Sequence, residues 1–202
     1  RNILTSLTAI RYNLHTIDTL SKMSDHTHPV DSNTERIHLR QEMEIRNVSF
    51  SYEKKNNKEI LSDFSLTIKQ GERVGIRGAS GAGKSTLMNL MLGLYTPDKG
   101  EILIDGVELN TSTRRMWQNC VGYVPQSVFL LDSTLLENIT LGVKDEDIDH
   151  KRVMKVIEMA SLTEFVKLLP DGLNSRIGEA GCRVSGGERQ RIGIARALYK
   201  NP

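Results

Sequence analysis

Apolar residues alternate with polar ones in the middle of this chain and recur at helical spacing elsewhere. The alternation predicts strands over Met43–Tyr52 and Leu61–Ile68, separated by the charged turn 53–58. A third strand is predicted at Glu101–Ile104, and the Asp105-Gly106 pair after it is typical of a two-residue hairpin turn. An antiparallel sheet is therefore expected in this part of the chain.

Two shorter apolar runs, Arg73–Ile76 and Val121–Val124, predict buried strands. The second would deliver Pro125-Gln126 at its carboxyl end, where ligands collect in open α/β sheets. Helical spacing and capping residues predict helices at Thr86–Leu92, Ser112–Gln118, Leu135–Ile139 behind the cap Ser133-Thr134, around Val153–Ala160, at Leu162–Leu169 and from Ser185 to Tyr199. The pattern predicts an α/β fold with a helical insertion over about residues 127–190.

The chain begins with a helix-like stretch that is followed by a polar one. A single apolar stripe on a helix over residues 1–24 is formed by Ile3, Leu7, Ile10, Leu14 and Ile17. This amphipathic helix fits either a surface helix of its own domain or part of a coiled coil or longer bundle. Residues 25–42 are interpreted as a linker because their start is polar, contains proline and shows no period. His26 and His28 lie there without further ligands, so we favour solvated side chains over a metal site.

Composition narrows the possible functions. The 202 residues carry a formal net charge of +2, and the basic residues are scattered, so no nucleic acid partner is indicated. Cys120 and Cys182 show no metal or disulfide spacing and are interpreted as free thiols in a reducing compartment. No apolar run reaches the roughly 18 residues that a membrane-spanning helix needs.

The strongest chemical signal is the stretch Gly78–Thr86, which reads GASGAGKST and matches the phosphate-loop pattern GxxxxGK[ST] in full. Its glycines let successive backbone N–H groups face one concavity, and the following helix adds its N-terminal partial positive charge. Lys84 would reach the outer phosphates of a triphosphate, and the Ser85 hydroxyl would be a ligand of the bridging Mg²⁺. The motif therefore predicts binding of a magnesium nucleoside triphosphate.

A second candidate for anion binding begins at Ser185-Gly186-Gly187, about a hundred residues after the phosphate loop. Ser185 is a good helix N-cap, and the two glycines leave backbone N–H groups exposed at the helix start. Such a stretch is a weak signal alone, but in this order after a phosphate loop it becomes a strong one.

Taken in order, these motifs resemble the nucleotide-binding domain of ATP-binding cassette (ABC) transporters over residues 43–202. The segment Val184–Glu188 is similar to the family signature LSGGQ, from which Val184 and Glu188 depart. A glutamate in the last place still accepts hydrogen bonds, so altered detail rather than lost function is expected.

Further parts of the chain resemble the same family. Tyr123–Gln126 is similar to the Q-loop, and Tyr52 matches the aromatic residue that stacks on adenine. Gly178–Gly181 resembles the X-loop of exporter-type members. Asp105, in a hairpin turn, and Asp132, in a loop, do not match catalytic acids of the family and are interpreted as structural.

The resemblance implies a P-loop NTPase core with an antiparallel β subdomain and an inserted α-helical subdomain, preceded by the amphipathic helix. Lys84 and Gln126 are the catalytic candidates, and Ser85 and Gln126 would contact Mg²⁺. The implied ATP-binding residues of this chain are Tyr52, Gly78, Ser80, Gly81, Ala82, Gly83, Lys84, Ser85, Thr86, Gln126, Ser185, Gly186, Gly187 and Glu188.

The resemblance also implies partners. In this family two nucleotide-binding domains meet head to tail, so that ATP at Lys84 of one is capped by Ser185 and Gly187 of the other. Both half-sites occur here, which favours a homodimer. Residues 1–24 would be the cytoplasmic end of the last helix of a transmembrane domain in the same chain. This order implies an exporter or a lipid or oligosaccharide flippase in the cell membrane, with the nucleotide domain on the cytoplasmic side.

Two other hypotheses remain open at this stage. The first is a soluble ATPase of the same superfamily that acts on ribosomes or DNA, and the second is a non-catalytic nucleotide-binding fragment. In the family, a strand with a Mg²⁺-binding Asp and a water-orienting Glu, and later a switch His, follow the point that Pro202 occupies. We therefore expect the full-length protein to hydrolyse ATP and residues 1–202 alone to be inactive.

Overall fold

The computed structural model describes residues 35–52, 59–178, 182 and 184–202. The predicted helix 1–24, most of the linker 25–42, the turn 53–58 and most of the stretch Gly178–Gly181 lie outside the described residues. Within the described part, no helix is both long enough and apolar enough to cross a bilayer.

Strands dominate the first part of the described chain and helices the second. The elements, in chain order, are β1 (Glu42–Phe50), β2 (Leu61–Lys69), α1 (Lys84–Met91), β3 (Lys99–Ile104), β4 (Val107–Glu108), α2 (Arg114–Gln118), β5 (Ser133–Thr134), α3 (Leu135–Ile139), α4 (His150–Met159), α5 (Thr163–Leu168), β6 (Arg176–Ile177) and α6 (Gly186–Tyr199). Short 3₁₀ turns occupy Asp145–Asp147 and Gly172–Asn174.

Four of the strands form an antiparallel sheet in the order β2-β1-β3-β4. Met43 of β1 lies opposite Ile68 of β2 on one side and Ile104 of β3 on the other. Strands β3 and β4 pair through Ile104 and Val107, on either side of the Asp105-Gly106 turn. The predicted hairpin and the three longer predicted strands are confirmed, each within two residues or so of its expected bounds.

Gly100 allows an unusually close approach between β3 and β1. Its φ is +75°, and a Cβ added there would overlap the carbonyl oxygens of Arg46 and Asn47. The β1–β3 register shifts between Arg46 and Ser49, beside this approach. The position therefore requires glycine both for its backbone conformation and for its lack of a side chain.

Two separate apolar cores hold the described part together. The sheet core joins β1, β2 and β3 to Leu87 and Leu90 of α1 and to Trp117 of α2, whose indole N–H donates to the Met91 carbonyl at 2.8 Å. The helical core is built around Leu135, Ile157 and Ile192, each at most 1% exposed. No buried residue is shared by the two clusters in the part of the chain that the structure describes.

The strand predictions for Arg73–Ile76 and Val121–Val124 are wrong for the described structure. Neither segment is a strand, and Val74 and Ile76 are 41% and 37% exposed. An extended apolar segment becomes a strand only where another strand offers its backbone N–H and C=O groups. Among the described residues, no strand pairs with either segment.

Candidate functional site

The phosphate-loop stretch forms a tight turn that leads into α1. Gly81 and Gly83 adopt positive φ values of 80° and 82°, and the Ala82 amide donates to the Ala79 carbonyl at 3.3 Å. Gly83 is the N-cap of α1, and no described side chain accepts a hydrogen bond from the first turn of that helix. The first N–H groups of α1 are thus open to an anionic ligand.

The Lys84 side chain folds back over the same turn. Its Nζ donates to the carbonyl oxygens of Gly78 at 2.9 Å and Ala79 at 2.7 Å. The ammonium group is therefore held against the turn that leads into α1.

A cavity of about 410 Å³ opens beside the loop, within the usual size range of small-molecule sites. Its lining consists of Tyr52, Ile60, Ser80, Gly81, Gly83, Lys84, Ser85, Thr86 and Gln126. All of these except Ile60 belong to the site predicted from the sequence. The structure thus brings together residues from the end of β1, the phosphate loop and the segment after residue 121.

Tyr52 lies at one end of this cavity and contacts the phosphate-loop helix directly. Its hydroxyl is 3.0 Å from Oγ1 of Thr86, which is buried. Tyr52 is 53% exposed, so part of the residue is accessible to a ligand. The ring also makes edge-on contacts at 5.2 Å with Phe50 and 5.4 Å with Tyr95.

The remaining predicted residues lie elsewhere. Gly78 is in the turn but does not line the cavity, and Ala82 faces a neighbouring apolar groove with Leu61 and Val74. The signature residues Ser185, Gly186, Gly187 and Glu188 form the start of α6 and contribute nothing to the lining of this cavity.

Ser185 is the N-cap of α6, as predicted, and it forms a capping box with Glu188. Oε2 of Glu188 accepts from both the amide and the hydroxyl of Ser185 at 2.8 Å, and the Glu188 amide donates to Ser185 Oγ at 3.3 Å. These bonds, first that from the Ser185 amide and then that from its hydroxyl, lower the pKa of Glu188 below its ordinary value. The glutamate that departs from the family signature is thus an anionic partner of the signature serine.

The segment that follows Gln126 is joined to α6 by a partly buried polar cluster. Nε of Arg196 donates to the Asn138 carbonyl at 2.8 Å, and its NH1 donates to the Phe129 carbonyl at 3.0 Å. The Asn138 side chain is fully buried and exchanges hydrogen bonds of 2.9 and 3.0 Å with the amide and carbonyl of Leu131. Burial lowers the pKa of Arg196. Asn138 and Arg196 were not singled out in the sequence, because a polar residue on a helix is usually solvated.

Asp105 has a structural role, in line with its interpretation from the sequence. Its carboxylate accepts from the backbone amides of Arg40, Gln41 and Glu42 at 2.7 to 2.9 Å. Desolvation acts in the opposite direction, but these amides lower the pKa of Asp105. Both carboxylate oxygens are therefore hydrogen-bonded to the backbone at the start of β1.

Sequence reasoning missed Ile60 and Tyr95 as neighbours of the site. Ile60 directly precedes β2, and its amide donates to the Phe50 carbonyl at 2.8 Å, which places it beside the end of β1. Tyr95 lies in the irregular segment between α1 and β3. Neither residue belongs to the alternating or helical pattern of apolar positions. Only their apolar or aromatic character beside turns could have indicated them.

Comparison with known proteins extends the picture. The family model described as "ABC transporter" matches residues 61–202. The putative multidrug export ATP-binding/permease protein YgaD of Bacillus subtilis is 41% identical over 164 residues, which are 81% of this chain and 28% of that protein. The β-(1→2)glucan export ATP-binding/permease protein NdvA of Agrobacterium fabrum is 43% identical over 159 residues, 79% of this chain and 26% of its own length.

A solved structure agrees with these relatives. A bacterial Atm1-family ABC exporter with ATP bound superposes with a TM-score of 0.80 at 35% identity, over 96% of this chain and 34% of that one. The chain thus spans about a quarter to a third of the length of the proteins it matches. The matched family model covers well over half of its residues, and the mixed α/β fold is that of an ABC nucleotide-binding domain. The chain belongs to the ABC transporter family.

Proposed function

We propose that this chain forms the ATP-binding and ATP-hydrolysing part of an exporter-type ABC transporter. The observation that carries the proposal is the single cavity in which Lys84 and Ser85 of the phosphate loop lie beside Tyr52 and Gln126. In one cleft, the cationic group would bind the phosphates and the hydroxyl would bind the metal ion of ATP hydrolysis. The aromatic ring would bind the base, and the amide would contact the attacking water. Both relatives described above are export ATP-binding/permease proteins, which favours a transporter over a soluble ATPase.

In this proposal the phosphates bind against the open N–H groups at the start of α1. Lys84, whose ammonium group already lies at the loop, stabilises the negative charge of the outer phosphates. The ring of the exposed Tyr52 accepts the adenine base, a contact that adds about 1 kcal/mol by analogy with other aromatic pairs. The remaining loop residues predicted for ATP, including Gly78, Ser80 and Ala82, shape the backbone around the phosphates.

For Mg²⁺ we propose the Ser85 hydroxyl and the Gln126 side chain as protein contacts, and Gln126 would also orient the attacking water. Both side chains line the cavity and offer the oxygen ligands that Mg²⁺ prefers. No group of three or more His, Cys, Asp or Glu residues in the described ranges could hold a metal ion. That fits an ion held by one or two protein oxygens and the substrate phosphates, whose charge it neutralises.

The start of α6 is proposed to act on a second copy. Ser185, Gly186, Gly187 and Glu188 lie outside the cavity lining, which fits a signature that caps ATP bound at Lys84 of a partner domain. A head-to-tail homodimer would then contain two such composite sites. The transmembrane domain of the same chain is the other proposed partner, and it would place this domain on the cytoplasmic side of the cell membrane.

Replacement of Lys84 in the full-length protein tests the proposal. Lys84→Ala removes charge-assisted hydrogen bonds to the phosphates, each worth about 1.5–3 kcal/mol, so ATP hydrolysis should fall at least about a hundredfold. Lys167→Ala is the matched control, because Lys167 is an exposed lysine paired with Glu164 on α5. Unchanged hydrolysis by the Lys84 variant would refute the assignment.

A further inference from the structure

Three aromatic rings form a cluster at the end of β1, next to the proposed ATP cavity. The Tyr52 ring meets Phe50 at 5.2 Å and 86° and Tyr95 at 5.4 Å and 84°, both edge-on. Phe50 and Tyr95 are themselves 5.4 Å apart. Phe50 is buried, whereas Tyr95 is 42% exposed. Tyr95 therefore contacts Tyr52 without being part of the sheet core.

The opposite end of Tyr52 is fixed by a hydrogen bond. Its hydroxyl lies 3.0 Å from Oγ1 of Thr86, a buried residue of α1. The two hydroxyls are hydrogen-bonded to one another. The bond joins the ring proposed to bind the base to the helix proposed to bind the phosphates.

The backbone that carries Tyr52 is held as well. Oδ2 of Asp98 accepts from the Ser51 amide at 2.9 Å and from the Ser51 hydroxyl at 3.2 Å. The Asp98 amide in turn donates to the Ser49 carbonyl at 2.9 Å. The turn that contains Asp98 follows Tyr95 closely in the chain, so one short segment supports both the ring and the backbone of the tyrosine.

We propose that Tyr95 and Thr86 are positioning residues that hold the Tyr52 ring in the orientation that receives the base. This inference rests on the proposed function, because it assumes that Tyr52 contacts the base of ATP. Tyr95 restrains the ring by its edge, and Thr86 restrains it by its hydroxyl. An exposed tyrosine without these contacts would lose rotamer freedom on binding, at a cost of about two- to tenfold in affinity.

The inference predicts different effects on two ligands, ATP and inorganic tripolyphosphate. Positioning of Tyr52 matters only for a ligand with a base, so it should affect ATP and leave inorganic tripolyphosphate unaffected. A purely structural role of the cluster would disturb the phosphate loop and weaken both ligands together. The ratio of the KM for ATP to the inhibition constant of tripolyphosphate therefore separates positioning of Tyr52 from general support of the fold.

The test uses the full-length protein and two single replacements. Tyr95→Leu removes the supporting ring, and Tyr52→Phe removes only the hydroxyl bond to Thr86 while keeping a ring that can stack. Each should raise the KM for ATP about two- to tenfold with little change in kcat, and leave the inhibition constant of tripolyphosphate at the wild-type value. Tyr95→Phe keeps the edge-on ring and should restore the wild-type KM.

Three results would overturn the inference. The first is an unchanged KM for ATP in both replacements, and the second is an equal loss of ATP and tripolyphosphate binding. The third is a Tyr95→Phe variant as impaired as Tyr95→Leu. Failure of the proposed function is distinguishable, because the wild-type protein would then hydrolyse no ATP and Lys84→Ala would change nothing.

Discussion

Replacement of Arg196 should loosen the attachment of the segment after Gln126 to α6. In Arg196→Met the side chain keeps its approximate length but loses its donors to the carbonyl oxygens of Asn138 and Phe129. Each buried carbonyl left without a partner costs about 1–3 kcal/mol. Because Phe129 is itself exposed, its carbonyl regains some hydration, and we expect a total of about 3 kcal/mol.

This cost should appear as faster local opening. About 3 kcal/mol corresponds to roughly a hundredfold in an equilibrium constant, so amides such as that of Leu131 should exchange with deuterium about a hundredfold faster. Hydrogen exchange of the full-length protein, followed by mass spectrometry of peptides covering residues 128–139, measures the change. Peptides from β1 should keep their protection, since β1 belongs to the separate sheet core.

Two further variants make the measurement decisive. Arg196→Lys keeps the charge but replaces the planar fork by a single ammonium group without the spacing of the guanidinium donors, so an intermediate, roughly tenfold effect is expected. Arg189→Met alters an exposed arginine of the same helix and should change exchange by less than about twofold. Wild-type protection in Arg196→Met, or an equal loss of protection in β1, would refute the reasoning.

Three other perturbations follow from local geometry. Gly100→Ala should abolish folding of the sheet, because its Cβ would overlap the carbonyls of Arg46 and Asn47. Hydrogen exchange checks this as a loss of amide protection in β1 and β3. Gly106→Ala is the control at another positive φ, since nothing lies within 4 Å of a Cβ added there. Thr134→Ala removes the N-cap of α3 and should cost about 0.5–2 kcal/mol in urea unfolding, with Thr134→Ser close to wild type. The lowered pKa of Glu188 means that its capping contribution is complete above the ordinary glutamate pKa and is lost as pH falls through the lower folded value. The Ser185 amide donates to the Glu188 carboxylate, so its exchange rate, corrected for intrinsic pH dependence, should show this step, and the same amide in Glu188→Gln should not.

Much of the fold could be predicted wherever local chemistry decides the structure. Thr134 and Ser185 each begin a helix through a capping box, and a side chain that satisfies a nearby amide needs no information from distant residues. The Asp105-Gly106 hairpin is equally local. The phosphate loop could be recognised for the same reason, because its glycines and Lys84 act within a few residues of one another.

Features that depend on distant partners could not be predicted. The apolar runs at 73–76 and 121–124 look like strands in isolation, but a strand is defined by the neighbour that it pairs with. The short β5–β6 pair joins residues more than forty positions apart and carries no periodic signal. Tyr95 reaches Tyr52 only because the turn before β3 folds back onto the end of β1.

The folded-back Lys84 side chain would limit how much free energy a phosphate gains at the proposed site. Its ammonium group already has two carbonyl partners, at 2.9 and 2.7 Å, so one of its three N–H donors is left for a phosphate and any further bond must replace one to a carbonyl. The net free energy is the difference between two sets of hydrogen bonds, which is much smaller than either set alone. In the proposed ATP hydrolysis, the same two carbonyls would then accept the lysine again as the product leaves.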